Sequence, residues 1–169
     1  FTTVWGDWHF DTLVEATLPS LLAEQNIPAA AEIYELRYEI HTVEQDRERI
    51  AAHPIIRNLS EFITVEIKTQ PARSEIDIND HLPWWLTLFK VAQEANMIAG
   101  AIHPDTVWSN GSLLTALNSV ASGKLGFLPP NFQAVSETFI PELKETVGAS
   151  PGQAISLSSQ SLAKLFKSN

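Results

Sequence analysis

Ile98-Ala99-Gly100-Ala101-Ile102 runs directly into His103-Pro104-Asp105-Thr106-Val107-Trp108-Ser109-Asn110-Gly111-Ser112, and this junction decides the fold class. The first five residues are a short apolar run of the kind buried on both faces of a parallel sheet. The ten that follow set an acidic side chain, an amide, a glycine and two serine hydroxyls at the exit of that run. Beyond them, Leu113 to Ala121 carries apolar residues at helical spacing, with Ser109 or Asn110 available as N-cap. A strand, a polar knot and a helix amino terminus in succession is how open α/β sheets bind ligands at the carboxyl ends of their strands.

Working outward, strands and helices alternate, as a mainly parallel sheet requires. Phe1 to Trp5 is β-branched and aromatic and reads as a strand stopped by Gly6-Asp7. Asp11 to Glu24 places Leu13, Val14, Leu18, Leu21 and Leu22 on one helical face, with Pro19 expected to kink or divide it. Tyr34 to Thr42 alternates in period two, and Phe62 to Ile67 reads as a third strand. Between them Glu44 to Glu61 is helical, interrupted at Pro54. Thr69 to Asn79 shows no period and reads as a mobile surface loop.

His81 to Asn96 forms a helix, followed by the 98–102 run as strand four. Lys124 to Leu128 is a fifth strand candidate, closed by Pro129-Pro130. Glu137 to Val147 reads as a helix despite Pro141, if it begins close to that residue. After a break at Ser150-Pro151-Gly152, Ser158 can cap a last helix through Leu162, Leu165 and Phe166. The fold expected is α/β, with a mostly parallel sheet and helices on both of its faces.

Composition narrows the function. With 169 residues and 44% apolar content the chain suits one domain, residues 1–169. A net charge of −9 without any Lys/Arg cluster argues against nucleic acid as a partner. The absence of cysteine excludes disulfides, thiolate metal sites and thiol catalysis, and makes a reducing cytoplasm the default compartment. No apolar run reaches the roughly 20 residues of a transmembrane span, so a soluble chain is expected. P-loop, dinucleotide-fingerprint and nucleophile-elbow motifs are all missing, and the five histidines fall into no zinc-binding spacing.

Four stretches together carry a resemblance: Thr3-Val4-Trp5-Gly6-Asp7-Trp8-His9, Leu18-Pro19-Ser20-Leu21-Leu22, Tyr38-x-Ile40-x-Thr42 with Asp46, and Pro104-Asp105-x-Val107-Trp108-Ser109-x-Gly111-Ser112. In this order they resemble the amino-terminal part of bacterial glycosyltransferase-like proteins with a nucleotide-diphospho-sugar transferase fold. The resemblance covers nearly the whole chain. It implies a three-layer Rossmann-like sheet of the A-type glycosyltransferase kind, a nucleotide sugar as ligand, an acceptor of unspecified nature, and a divalent cation, Mg²⁺ or Mn²⁺. That family commonly holds the ion with Asp-x-Asp after the fourth strand. Here the motif is absent, and Asp105 followed by Asn110 stands nearest to it. Active members of the group would be expected to continue beyond the final helix.

Asp105 is therefore the metal-ligand candidate, and Gly6, Asp7, Thr42, Asp46, Ser109, Asn110 and Gly111 are the nucleotide-sugar candidates; no catalytic residue is assigned. Gly6 lets a main chain without a side chain approach a nucleotide. Thr42 and Asp46 offer hydroxyl and carboxylate partners to a base or ribose. Each has a plainer alternative, since Pro-Asp and Ser-Asn-Gly are common turn formers and Asp7, Thr42 and Asp46 suit helix caps. Trp84 and Trp85, adjacent on a helix, diverge by about 100°, so one is expected in the core and the other along a groove. Three readings follow: a donor-binding half of a glycosyltransferase, an inactive binding module of the same fold, and a receiver-like domain, for which Asp7 lacks its acidic partner.

Overall fold

The computed structural model describes residues 1–70, 81–124, 126, 133–148, 150 and 152–168. Three parallel strands, β1 (Thr2–Thr3), β2 (Arg37–Val43) and β3 (Thr64–Gln70), lie in the order β1-β2-β3. Thr2 pairs with Ile40 and Thr3 with His41, while Arg37 to Val43 pairs residue by residue with Thr64 to Gln70. The fourth expected strand is not a ladder member. It nevertheless runs beside the free edge of β1, where Phe1 N donates to the Gly100 carbonyl at 2.8 Å and Ile102 N to the Phe1 carbonyl at 2.8 Å. One residue bonding its neighbour on both sides in this way is the parallel pattern. Of the fifth strand candidate only Lys124 and Gly126 are described, neither of them in a strand, and positions 71–79 of the expected loop lie outside the described residues.

The first helical stretch begins earlier than its apolar pattern suggests, because Gly6 takes φ 75° and ψ 162° and turns the chain at once into α1 (Asp7–Thr12). That backbone region is essentially closed to residues with a Cβ. Pro19 then acts as expected on the helix but through an unexpected device. It has no N–H to donate and its ring crowds the carbonyl four residues back. The chain widens into a π turn (Leu13–Thr17) before resuming as α2 (Leu18–Leu21). A short helix α3 (Ile27–Ala31), not anticipated, precedes β2. Glu44 to Ser60 divides into α4 (Glu44–Ala52) and α5 (Pro54–Ser60) at the expected proline. Then come α6 (His81–Glu94), α7 (Ser112–Ala121), α8 (Ser136–Val147) and α9 (Ser159–Ser168), with Pro141 inside α8 rather than at its start.

Alternation along β2 sorts the two faces. Tyr38 and Ile40 join Val4, Leu13, Leu18, Leu21, Ile50, Ile55 and Leu59 in one apolar cluster, which places the early helices against that face. A second cluster, of Ala16, Phe139, Leu143, Ile155, Leu162 and Leu165, binds α8 and α9 to the π turn. On the other face of the sheet Phe1 meets α6, its ring 6.5 Å from Trp85 and 5.4 Å from Phe89. Neither tryptophan of the pair is given over to the core alone. Trp84 packs edge-on against Trp5 and Trp85 against His103, so both are half-buried against aromatic partners.

This second face of β2 is charged. Glu39, 8% exposed, accepts from Lys68 at 2.8 Å, Arg37 at 3.2 Å and His41 Nε2 at 3.0 Å, while Glu66 shares Lys68 at 3.2 Å. Burial works against the charged forms of both Glu39 and His41. For Glu39 the hydrogen bonds from Lys68 and His41 outweigh it and hold the carboxyl below its usual range. For His41 desolvation prevails over the pull of Glu39, and its pKa falls below 6.5. The unfolded chain therefore binds the extra imidazole proton first, and stability is expected to fall as pH drops below about 6.5. The Glu39 contribution is lost further down, below about 4.5. Melting curves from pH 8 to pH 5 should show this decline, and His41→Gln should flatten it; an unchanged slope in the variant would remove His41 as its source.

Candidate functional site

The site is best built from the tract that follows residue 102. Pro104 is buried, and its carbonyl accepts from the fully buried Thr17 hydroxyl at 2.6 Å. Trp108 N donates to Ser20 Oγ at 3.0 Å, and Ser20 in turn donates to the Thr17 carbonyl at 2.8 Å. Asn26, 0% exposed, does the most: its amide nitrogen donates to the Ser20 and Ser109 carbonyls, and its oxygen accepts from Gly111 N at 3.0 Å and Leu113 N at 3.1 Å. The N-cap position of α7 is Gly111, at φ 90°, not Ser109 or Asn110. Asn26 supplies from outside the helix the acceptor that a local cap would give.

With its backbone fixed this way, the tract forms one wall of a cleft of about 750 Å³. Trp8, Thr12 and Ala16, spaced four apart along α1 and the π turn, line a second wall, and α8 and α9 supply the rest through residues such as Ser136, Phe139, Ser159 and Phe166. Such a volume is typical of a small-ligand site. Asp105 lies exposed on the lining with no ion pair among the described residues. No Lys or Arg side chain lines the cleft among the described residues; its acidic side chain is Asp105, and His103 is its one imidazole.

The sequence-based candidates separate into three groups and one lone residue. Asp105 and Ser109 line the cleft, the latter with its hydroxyl 2.9 Å from that of Ser159. Asn110 and Gly111 hold the tract in place: the Asn110 side-chain oxygen accepts from Gln25 N at 2.8 Å, the Asn110 backbone N–H donates to the Leu157 carbonyl at 2.7 Å, and Gly111 N donates to Asn26. Gly6, Asp7 and Asp46 form a separate cluster, where Asp46 accepts from Gly6 N at 3.0 Å and Arg49 bridges Asp7 and Asp11 while lying over the Phe10 ring. Thr42 is 0% exposed on the apolar face of β2.

Trp8, Thr12, Ser136 and Ser159 were not among the candidates. The signal for the first two was present as a helical stripe at i and i+4; Ser136 and Ser159 come from distant helices and gave none. Among the described residues no three His, Asp or Glu side chains gather closely enough to hold a metal ion, and no helix is long and apolar enough to cross a membrane. No protein-family model, curated protein or solved structure matches the chain.

Proposed function

We propose that this chain is a glycosyltransferase-like domain that binds a nucleotide-diphosphate sugar at the carboxyl ends of β1 and of the run 98–102. The observation that carries the reading is the pairing of Phe1 with Gly100 and Ile102, which sets the exits of the two segments side by side. With β2 and β3 on the other side of β1, the chain order reverses at this point, and open α/β sheets take their ligands at such a reversal. A cleft lined by the Asp105 carboxylate opens there. Under this reading the sheet is a Rossmann-like one, and an acceptor would approach the outer end of the cleft.

The residues present fit a divalent cation only in part. Asp105 supplies one carboxylate, enough for Mg²⁺ or Mn²⁺ when substrate phosphates and water complete the shell. The Asn110 amide oxygen is engaged with Gln25 N and does not join it. An ion here would offset charge on a departing diphosphate. Asp105 would bind it, and the Asn26 bonds would keep the wall rigid.

A second reading, binding without transfer, is favoured by the same Asn110 contact, since a one-carboxylate site holds an ion weakly before the diphosphate arrives. Thermal shift with UDP, GDP, dTDP and CDP and their hexose conjugates, with and without Mn²⁺, tests both. A ligand at about 100 times its Kd adds about 2.7 kcal/mol. That amount raises the melting temperature by roughly 5–10 °C in a chain of this size. Asp105→Ala should remove the manganese-dependent part. If no nucleotide shifts the transition at millimolar concentration, the reading fails. Release of free nucleoside diphosphate from a bound conjugate would favour transfer over binding alone.

A further inference from the structure

The structure assigns the cleft between α1, the 103–109 tract, α8 and α9 to an uncharged pyranose ring, and makes it selective against sugars that carry a carboxylate. This rests on the nucleotide-sugar reading for where the diphosphate sits, and deepens it by naming the sugar class.

The argument begins with charge. Among the described residues the lining holds Asp105 and no Lys or Arg, on a chain of net charge −9. A carboxylate on the ring would find no Lys or Arg on this described lining to pair with, and an ion held by Asp105 would be taken up by the diphosphate. Hydroxyls, in contrast, are plentiful: Ser109 of the tract and Ser112, Ser136 and Ser159 of three helices stand around the opening. Ser109 and Ser159 are paired at 2.9 Å, Ser112 donates to the Ser109 carbonyl at 2.7 Å, and Ser136 donates to Glu137 at 3.1 Å. Each serine hydroxyl oxygen in these contacts retains acceptor capacity for a ligand hydroxyl.

The remaining wall is aromatic. Trp8 is 48% exposed although it lies on a helix whose Phe10 and Thr12 are buried. A pyranose has C–H bonds on its faces and hydroxyls at its rim, so an indole against a face and serines at the edge match both parts. Phe139 and Phe166, stacked with centroids 4.8 Å apart, close the cleft beyond the serines with apolar surface.

Two sources could present this ring: the glycosyl group of a nucleotide sugar and the end of a free glycan. The experiment uses the 169-residue chain with UDP, UDP-glucose, UDP-glucuronate, the corresponding GDP and dTDP pairs, and methyl glucoside and cellobiose, read by calorimetry or ligand-observed NMR. For whichever nucleotide binds, the neutral conjugate should bind more tightly than the bare diphosphate and about tenfold more tightly than the uronate, the effect of one carboxylate taken from water without a partner. Trp8→Ala should bring the neutral conjugate down to the bare diphosphate, with melting curves checking that the variant folds. Ser159→Lys, at an exposed position, should narrow or reverse the preference over the uronate. If conjugate and bare diphosphate bind equally, the inference is overturned while the nucleotide reading stands. Should only the free glycosides bind, in a manner that Trp8→Ala abolishes, the cleft takes a glycan end and the nucleotide reading fails. Binding of none of these ligands overturns both.

Discussion

Asn26→Ala is expected to lower the melting temperature by about 10 °C, the largest effect of any polar substitution in the chain. Asn26 is fully buried and joined by four hydrogen bonds to Ser20, Ser109, Gly111 and Leu113. Removing it takes the acceptor from the Gly111 and Leu113 N–H groups and one donor from each of the Ser20 and Ser109 carbonyls, in a space that a methyl cannot fill. At about 1–3 kcal/mol for each buried group left unpaired, partly relieved by water, a loss of roughly 3–5 kcal/mol follows. Asn26→Asp sharpens the test, since it keeps the acceptor for Gly111 and Leu113 and loses both donations, so it should fall between wild type and alanine. A drop under about 2 °C for the alanine variant would mean that the tract is held by something other than this residue. Ligand binding should weaken in parallel, because the wall bearing Asp105 and Ser109 is the part that Asn26 secures.

The second large effect is expected at Leu143→Ala. Leu143 is 0% exposed at the centre of the smaller cluster, with Phe139, Ile155, Leu162 and Leu165 around it. Deleting its outer carbons should cost about 3–5 kcal/mol, transfer plus cavity. Lys144 of α8 reaches Glu15 at 2.6 Å, but that pair is half exposed and contributes little. Packing, then, holds α8 as a wall of the cleft. Hydrogen exchange on the variant should show α8 and α9 opening more readily than β2 and β3, whose core is separate. Equal loss of protection throughout would show the two clusters to be one cooperative unit.

Much of this was legible in the chain itself, and the misses have physical causes. The strand cores at Tyr38 to Thr42 and Thr64 to Ile67 were visible from alternation and β-branching, as was the division of α4 from α5 at Pro54. Even the enclosure of Thr42 was readable, since it shares parity with Tyr38 and Ile40, which face the core. Helix α3 was missed because Ile27 to Ala31 is too short to show a period and contains Pro28. The cap of α7 could not be found locally, because its acceptor lies on Asn26, 87 residues before Leu113. Asp105 was placed by a strand-exit rule and does line the cleft, whereas Asp7 and Asp46 are engaged with Arg49 and Gly6.

The distance between those partners bears on how the chain reaches its fold. Thr17, Ser20 and Asn26 sit in the first helical layer, and their hydrogen-bond partners at Pro104, Trp108, Gly111 and Leu113 come more than 80 residues later. During synthesis the amino-terminal helices can collapse on β1 and β2, but their buried hydroxyls and amide lack these partners until the tract has left the ribosome. Such an intermediate is compact yet polar-frustrated, and its completion waits on closure of a long loop, which makes high contact order the brake on folding. The staples that make the cleft rigid in the finished protein are thus the last bonds of the first layer to form.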